Sequence, residues 1–165
     1  MTESAGKGSN QVRFLVVRIA IGSDHGGFEL KEHLKGLLDQ LQVSYEDVGT
    51  FTPEAVDYPD IAVKVARGVA SGAFEQGILV CGTGIGMSIA ANKIAGIRAA
   101  LVTDVETARL SREHNDANIM TLGGRTTPVD RACAMVVMFL QTQFDGGGRH
   151  GRRVRKLSAL DCQDA

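Results

Sequence analysis

Two spacings of apolar residues alternate along the chain: short continuous runs, and segments in which apolar residues return every three or four positions. From Val17 to Gly22 the chain is a short apolar run, and Leu30, Leu34, Leu37, Leu38 and Leu41 then recur at helical spacing. This predicts a strand followed by an amphipathic helix. VSYEDV repeats the strand pattern, and PDIAVKVARGVASG repeats the helix, with Pro59 suited to a first turn and Ile61, Val65 and Val69 on one face. GILVC, bounded by Gly77 and Gly82, predicts a third strand. RAALV, the helix-like VETARLSREHN, NIMTLGG and the helix-like PVDRACAMVVMFLQTQF continue the alternation to the end of a five-strand series.

Regular β-α-β order requires crossover helices, which pack on both faces of a mainly parallel sheet. The expected fold is therefore α/β, a three-layer α/β/α sandwich, Rossmann-like, with a parallel sheet of about five strands. In such sheets ligands bind where the carboxyl ends of strands lead into helix N-termini. Two loops at that edge stand out, SDHGG after the first strand and CGTGIGMS after the third, together with the HN pair where the fourth helix runs out.

The loop from Gly82 to Gly86 can gather several backbone N–H groups around one point ahead of a helix, an arrangement that holds an anion without a basic side chain. Cys81 ends the preceding strand, facing amides and a helix dipole that favour thiolate over thiol, so it is a candidate base or nucleophile. Cys133, within RACAMVVMF, reads as a core residue and Cys162 as incidental. A Walker loop is absent, and GxGxxG fails because Met87 stands where the third glycine belongs. Asp104 lies at a distance where a ribose-binding acid could stand, which keeps a minor nucleotide reading open.

Composition narrows the partner. With 165 residues the chain is sized for one domain. With 22% charged residues and a net charge of -1, bulk attraction to nucleic acid or an anionic membrane is not expected. Three widely spaced cysteines without a CxxC pair indicate neither a disulfide framework nor a zinc site, and a reducing cytoplasm fits them. The start, MTESAGKGSNQ, is a polar extension, and the apolar run after it is too short to span a membrane. His25, His114 and His150 lie in loop-like sequence, and their spacing disfavours metal binding; His33 sits in a charged helix. GGGRHGRRVRKL is read either as a solvated tail or as a set of arginines for the phosphate of a small metabolite. It has no interleaved aromatic residue to stack on nucleic-acid bases.

Five segments in this order, IGSDHGGFELK, DYPDIA, CGTGIGMSIAANK, LSREHNDANIMTLGGR and GGRHGRRV, resemble the ribose-5-phosphate isomerase B group, which includes the galactose-6-phosphate isomerase subunits. The resemblance spans residues 17–157 as a single domain, leaving 1–16 as an extension and 158–165 as a tail. It implies interconversion of ribose 5-phosphate and ribulose 5-phosphate, as in the pentose phosphate pathway, through an enediolate. It further implies no metal or organic cofactor and a homodimer with active sites shared between subunits, with pairing into tetramers left open. By that resemblance Cys81 is the base, the amides of the loop Gly82, Thr83, Gly84, Ile85, Gly86 stabilise the negative oxygen of the enediolate, and Ser88 binds the substrate. Asp24 and His114 open the furanose ring, Thr83 and Asn115 hold hydroxyls, and Tyr58 lies near the sugar. His25, Arg125, Arg149 and Arg153 take the phosphate. Some members of the group place a glutamate base at the position of Met87; this chain is of the cysteine type.

Three alternatives stay open at this level. The substrate could be a six-carbon sugar phosphate, allose or galactose 6-phosphate, because one hydroxymethyl unit is a small discriminant. A non-catalytic phosphosugar or nucleotide-binding module would keep the glycine loop without needing Cys81 and His114 together. A thiol sensor would act through Cys81, though no resolving cysteine lies nearby.

Overall fold

The computed structural model describes residues 18–161; the extension expected at 1–16 and Cys162 lie outside them. Five strands and six α-helices follow in the order β1 (Arg18–Ser23), α1 (Phe28–Gln40), β2 (Ser44–Asp47), α2 (Tyr58–Ala70), β3 (Gln76–Cys81), α3 (Ile85–Ala91), β4 (Ala99–Leu101), α4 (Val105–Asn115), β5 (Ile119–Gly123), α5 (Val129–Gln141) and α6 (Gly148–Leu160). A 3-10 turn, His25–Gly27, joins β1 to α1. All pairings are parallel and the strand order is β2-β1-β3-β5-β4.

Alternation along each strand splits the core in two. Ile19, Ile21, Ile78, Val80, Met120 and Leu122 face Leu30, Leu34 and Leu38 of α1, together with Met135 and Phe139 of α5. Ala20, Leu79 and Ile119 face Ile61, Val65 and Val69 of α2 and Met87 and Ala91 of α3. Helices thus cover both faces, and Cys81, two positions after Leu79, belongs to the α2/α3 side.

Three local expectations are corrected. The basic C-terminal run is not a solvated tail: it forms α6, whose His150, Gly151 and Val154 are buried, because their side turns inward while the arginines stay outside. His25, His114 and His150 are not loop residues; they lie at the start of the 3-10 turn, in the last turn of α4 and in the first turn of α6 respectively. Asp104 does not wait for a ribose. Its Oδ1 accepts the Thr107 N–H at 2.7 Å and the Thr107 side chain answers the Asp104 N–H, a capping box that starts α4.

At the outer edge of the sheet, Asn92 attends to β4. Its Nδ2 donates to the Ala99 carbonyl at 2.8 Å and its Oδ1 accepts the Ala99 N–H at 2.8 Å. One side chain thus completes both backbone groups of an edge residue.

Candidate active site

From β1 the chain crosses to β2 on one side and, later, to β3 on the other, so the carboxyl ends of β1 and β3 flank a topological switch point. Asp24 follows β1 there. It is buried, its N–H donates to the Val80 carbonyl at 3.2 Å, and its Oδ1 caps the 3-10 turn by accepting the Gly27 N–H at 3.0 Å. Gly27 has no room for more: an added Cβ would sit 2.4 Å from the Val80 carbonyl oxygen. That close approach draws the turn against the end of β3, beside Cys81.

Cys81 is buried, 5% exposed, and its Sγ accepts the Gly84 N–H at 3.2 Å. The bond is possible because Gly84 adopts the left-handed conformation, φ 78°, which folds the loop back over the sulfur. Ile85 N–H is weakly held by Thr83 Oγ1 at 3.4 Å, whereas Gly86 and Met87 lie in the first helical turn, where no intrahelical acceptor exists. The sulfur and these donors therefore belong to one loop at the carboxyl end of β3. Thr83 is exposed and the Ile85 side chain projects outward, 51% exposed.

Two side chains lie over the loop. Tyr58, the first residue of α2, lies against Gly86, where an added Cβ would be 2.7 Å from Tyr58 Cζ. Arg125 extends along Gly82, 3.5 Å from where a Cβ would stand, and its backbone N–H donates to the Gly82 carbonyl at 3.0 Å. Arg125 and His25 line one cleft of about 260 Å3, together with Gly26, Phe28, Glu29, Leu30, Pro53 and Gly124. An exposed imidazole and an exposed guanidinium on one cleft suit a phosphate. Ser88 stands apart: its hydroxyl donates to the Ala99 carbonyl at 3.4 Å, toward β4.

The remaining residues singled out from the sequence gather elsewhere. His114 lies in the last turn of α4 and stacks on His150, ring centroids 4.1 Å apart and planes 6° from parallel. Arg149 Nε donates to His150 Nε2 at 3.3 Å. Burial pushes the His150 imidazole below its ordinary range, and the His114 ring and the Arg149 guanidinium act in the same direction. Asn115 lines a cavity of about 390 Å3 with Arg98, Ser111, Leu157 and Asp161. Arg153 is exposed on the second turn of α6.

This second cluster sits at the opposite edge of the sheet. A crossover helix runs against the strands, so α4 begins past the carboxyl end of β4 and ends where β5 begins. Gly77 pairs with Ile119 and Cys81 with Gly123, so the two edges are four strand residues apart, roughly 13 Å along the strands. One chain therefore unites Asp24, His25, Tyr58, Cys81, the glycine loop and Arg125, and separately His114, Asn115, Arg149 and Arg153.

The profile of the Ribose/Galactose Isomerase family matches residues 19–157. The chain belongs to that family. A relative from Escherichia coli, named Ribose-5-phosphate isomerase B, is 44% identical over 144 residues, covering 87% of this chain and 96% of its own. Among solved structures, the Ribose-5-Phosphate Isomerase B of Clostridium thermocellum superposes with a TM-score of 0.87 at 48% identity, covering 90% of this chain and 99% of that one. The type B ribose 5-phosphate isomerase of Trypanosoma brucei superposes with a TM-score of 0.85 at 46% identity, covering 88% and 99%. The family's five-stranded α/β architecture is thus present here, and the expected fold class holds. No helix among the described residues is long and apolar enough to cross a membrane.

Two residues near these clusters had no role in the sequence reading. His150 is one, and its signal was its proximity to the arginines of α6. Lys31 is the other: it is fully buried. Its signal was position, since residues 31, 34 and 38 fall on one helical face, and a lysine on the face of Leu34 and Leu38 is out of place unless something receives its charge.

Proposed function

We propose that the protein interconverts ribose 5-phosphate and ribulose 5-phosphate with Cys81 as the base. The observation that carries this reading is the Gly84 N–H donating to Cys81 Sγ at the start of an amide-rich loop. There a sulfur base and donors for an oxyanion serve the same reacting carbons. In the forward direction Sγ removes the proton on C2 of the open-chain aldose. The electron pair moves to the C1–C2 bond, and negative charge develops on O1 within reach of the loop amides. Return of the proton to C1, with the O2 proton moving to O1, leaves a C2 ketone and a C1 hydroxymethyl group. Asp24 and His114 move the protons that open the furanose ring, Thr83 and Asn115 hold hydroxyls, and His25, Arg125, Arg149 and Arg153 hold the phosphate.

Because Cys81 and His114 stand at opposite edges of one sheet, a site using both takes them from two copies of the chain, which supports a homodimer with shared active sites. The test is complementation. Cys81→Ala and His114→Ala, each inactive alone, co-expressed in equal amounts form mixed dimers in half of cases, each carrying one intact site of two. Activity is expected to return to about a quarter of the wild-type level. No recovery, with mixed dimers shown by mass, would assign each site to a single chain.

Chemistry is tested in deuterium oxide. Deuterium is expected at C1 of the ribulose 5-phosphate formed and, on reversal, at C2 of ribose 5-phosphate, since binding alone exchanges no carbon-bound hydrogen. Sugar recovered with no deuterium and no conversion would reduce the protein to a binding module. The same assay with allose 6-phosphate and galactose 6-phosphate reads the six-carbon alternative. A missing or extra carbon unit changes kcat/KM by roughly 10- to 200-fold, and the higher value is expected for ribose 5-phosphate.

A further inference from the structure

Lys31 is a lysine with no side-chain exposure, on the second turn of α1. Its Nζ lies 2.5 Å from Asp47 Oδ2 and 3.0 Å from Glu32 Oε1, with the Phe28 and Phe51 rings at 5.5 and 5.8 Å. Lys35, partly exposed, approaches the same two carboxylates. Burial pushes the Asp47 carboxyl up, but the bonds from Lys31, Lys35 and the Gly49 N–H prevail and hold it below its usual range. A buried ion pair contributes little to stability compared with a well-packed apolar pair, so its presence calls for another reason.

The reason lies in what Asp47 holds. Its Oδ1 accepts the Gly49 N–H at 3.0 Å. The Gly49 carbonyl accepts the Ser23 N–H at 2.6 Å, and the Ser23 carbonyl accepts the Thr50 N–H at 2.6 Å. Ser23 directly precedes Asp24. Its buried hydroxyl has no hydrogen-bond partner among the described residues, so these backbone bonds fix its place. The segment from Gly49 also carries Phe51, whose ring lies over Lys31, and Pro53, which lines the cleft of His25 and Arg125. We infer that Lys31 is a positioning residue: through Asp47 it fixes the turn at Gly49 and Thr50, and through Ser23 the carboxylate of Asp24 that serves ring opening.

This inference rests on the role proposed for Asp24, and the experiment separates the two. Ribulose 5-phosphate has no free hydroxyl placed to close a five-membered ring, so exchange of its C1 hydrogen with deuterium oxide needs the base but no ring opening. Lys31→Met is expected to lower kcat for ribose 5-phosphate by roughly 10- to 100-fold, as a displaced catalytic group does. C1 exchange on ribulose 5-phosphate stays within roughly threefold of wild type, because Cys81 and its loop are on other elements. The double variant Lys31→Met/Asp47→Leu removes both charges, regains the thermal midpoint lost by the single variant, and keeps the same split.

Wild-type kcat in either variant would overturn the inference. So would an equal loss of both reactions in a double variant whose midpoint is restored, which is the mark of general loosening. If Lys31→Met fails to fold, the double variant decides, and Asp47→Asn, which keeps the shape and drops the charge, is expected to show the split in milder form. A wild-type protein that performs neither reaction would end the isomerase reading itself and leave the ion pair to be explained apart.

Discussion

Cys81→Ala is expected to reduce kcat for ribose 5-phosphate by roughly 1,000-fold, within the span that a general base contributes and equivalent to roughly 4 kcal/mol of barrier. KM should move little, since the groups assigned to the phosphate lie on other elements. The fold should survive, because Cys81 is one small residue at the end of β3 and the α2/α3 side of the core is carried by Leu79, Ile61, Val65 and Met87. Cys81→Ser supplies the control of shape: its hydroxyl can accept the Gly84 N–H, yet it is a far poorer base at neutral pH, so it is expected to fall nearly as low as alanine. Steady-state rates on both variants, with circular dichroism to show the fold, decide the matter. A variant retaining a tenth of wild-type turnover would remove Cys81 from the role of base.

Gly84→Ala is expected to damage both stability and turnover. The residue is left-handed at φ 78°, which costs an alanine roughly 1–2 kcal/mol. Its Cβ would also lie 2.6 Å from Leu101 Cδ1 and 2.8 Å from the Leu122 carbonyl carbon. Leu101 can turn away; the backbone of β5, paired to β3 and β4, cannot. Together these terms amount to roughly 3 kcal/mol, or a fall of roughly 6–12 °C in thermal midpoint for a chain of this size. The relaxation that relieves the clash moves the Gly84 N–H off Cys81 Sγ, so kcat falls even in the fraction that stays folded. A Gly84→Ala protein with wild-type midpoint and turnover would show that neither the glycine nor its amide matters.

Much of this was legible beforehand because periodicity reports burial. Leu30, Leu34 and Leu38 mark one helix face, and Ile78 to Val80 form a run with no polar break, as a strand covered on both sides must. The glycine loop was legible too, since Cys81 followed by three alternate glycines matches few purposes. What escaped were features set by partners distant in sequence. Asp104 reads equally as a ribose acid or a cap until Thr107 is seen to answer it. The C-terminal run, with four glycines among its first seven residues, argues against a helix by propensity, and α6 forms because burying His150, Gly151 and Val154 outweighs that weakness. The distance between His114 and Cys81 follows from the direction of α4, which motif order alone conceals.

The attachment of Asn92 to Ala99 has a consequence for life in a crowded solution. A parallel sheet ends in strands whose outward amides and carbonyls invite a stranger to add on, and such additions seed fibrous deposits. A carboxamide presents the same donor and acceptor as a peptide, so it occupies that vacancy before another extended segment does. At the far margin β2 is only four residues long, which leaves a second copy little edge to pair with. Asn92→Leu is the change that would unseal the sheet while leaving every proposed catalytic group in place.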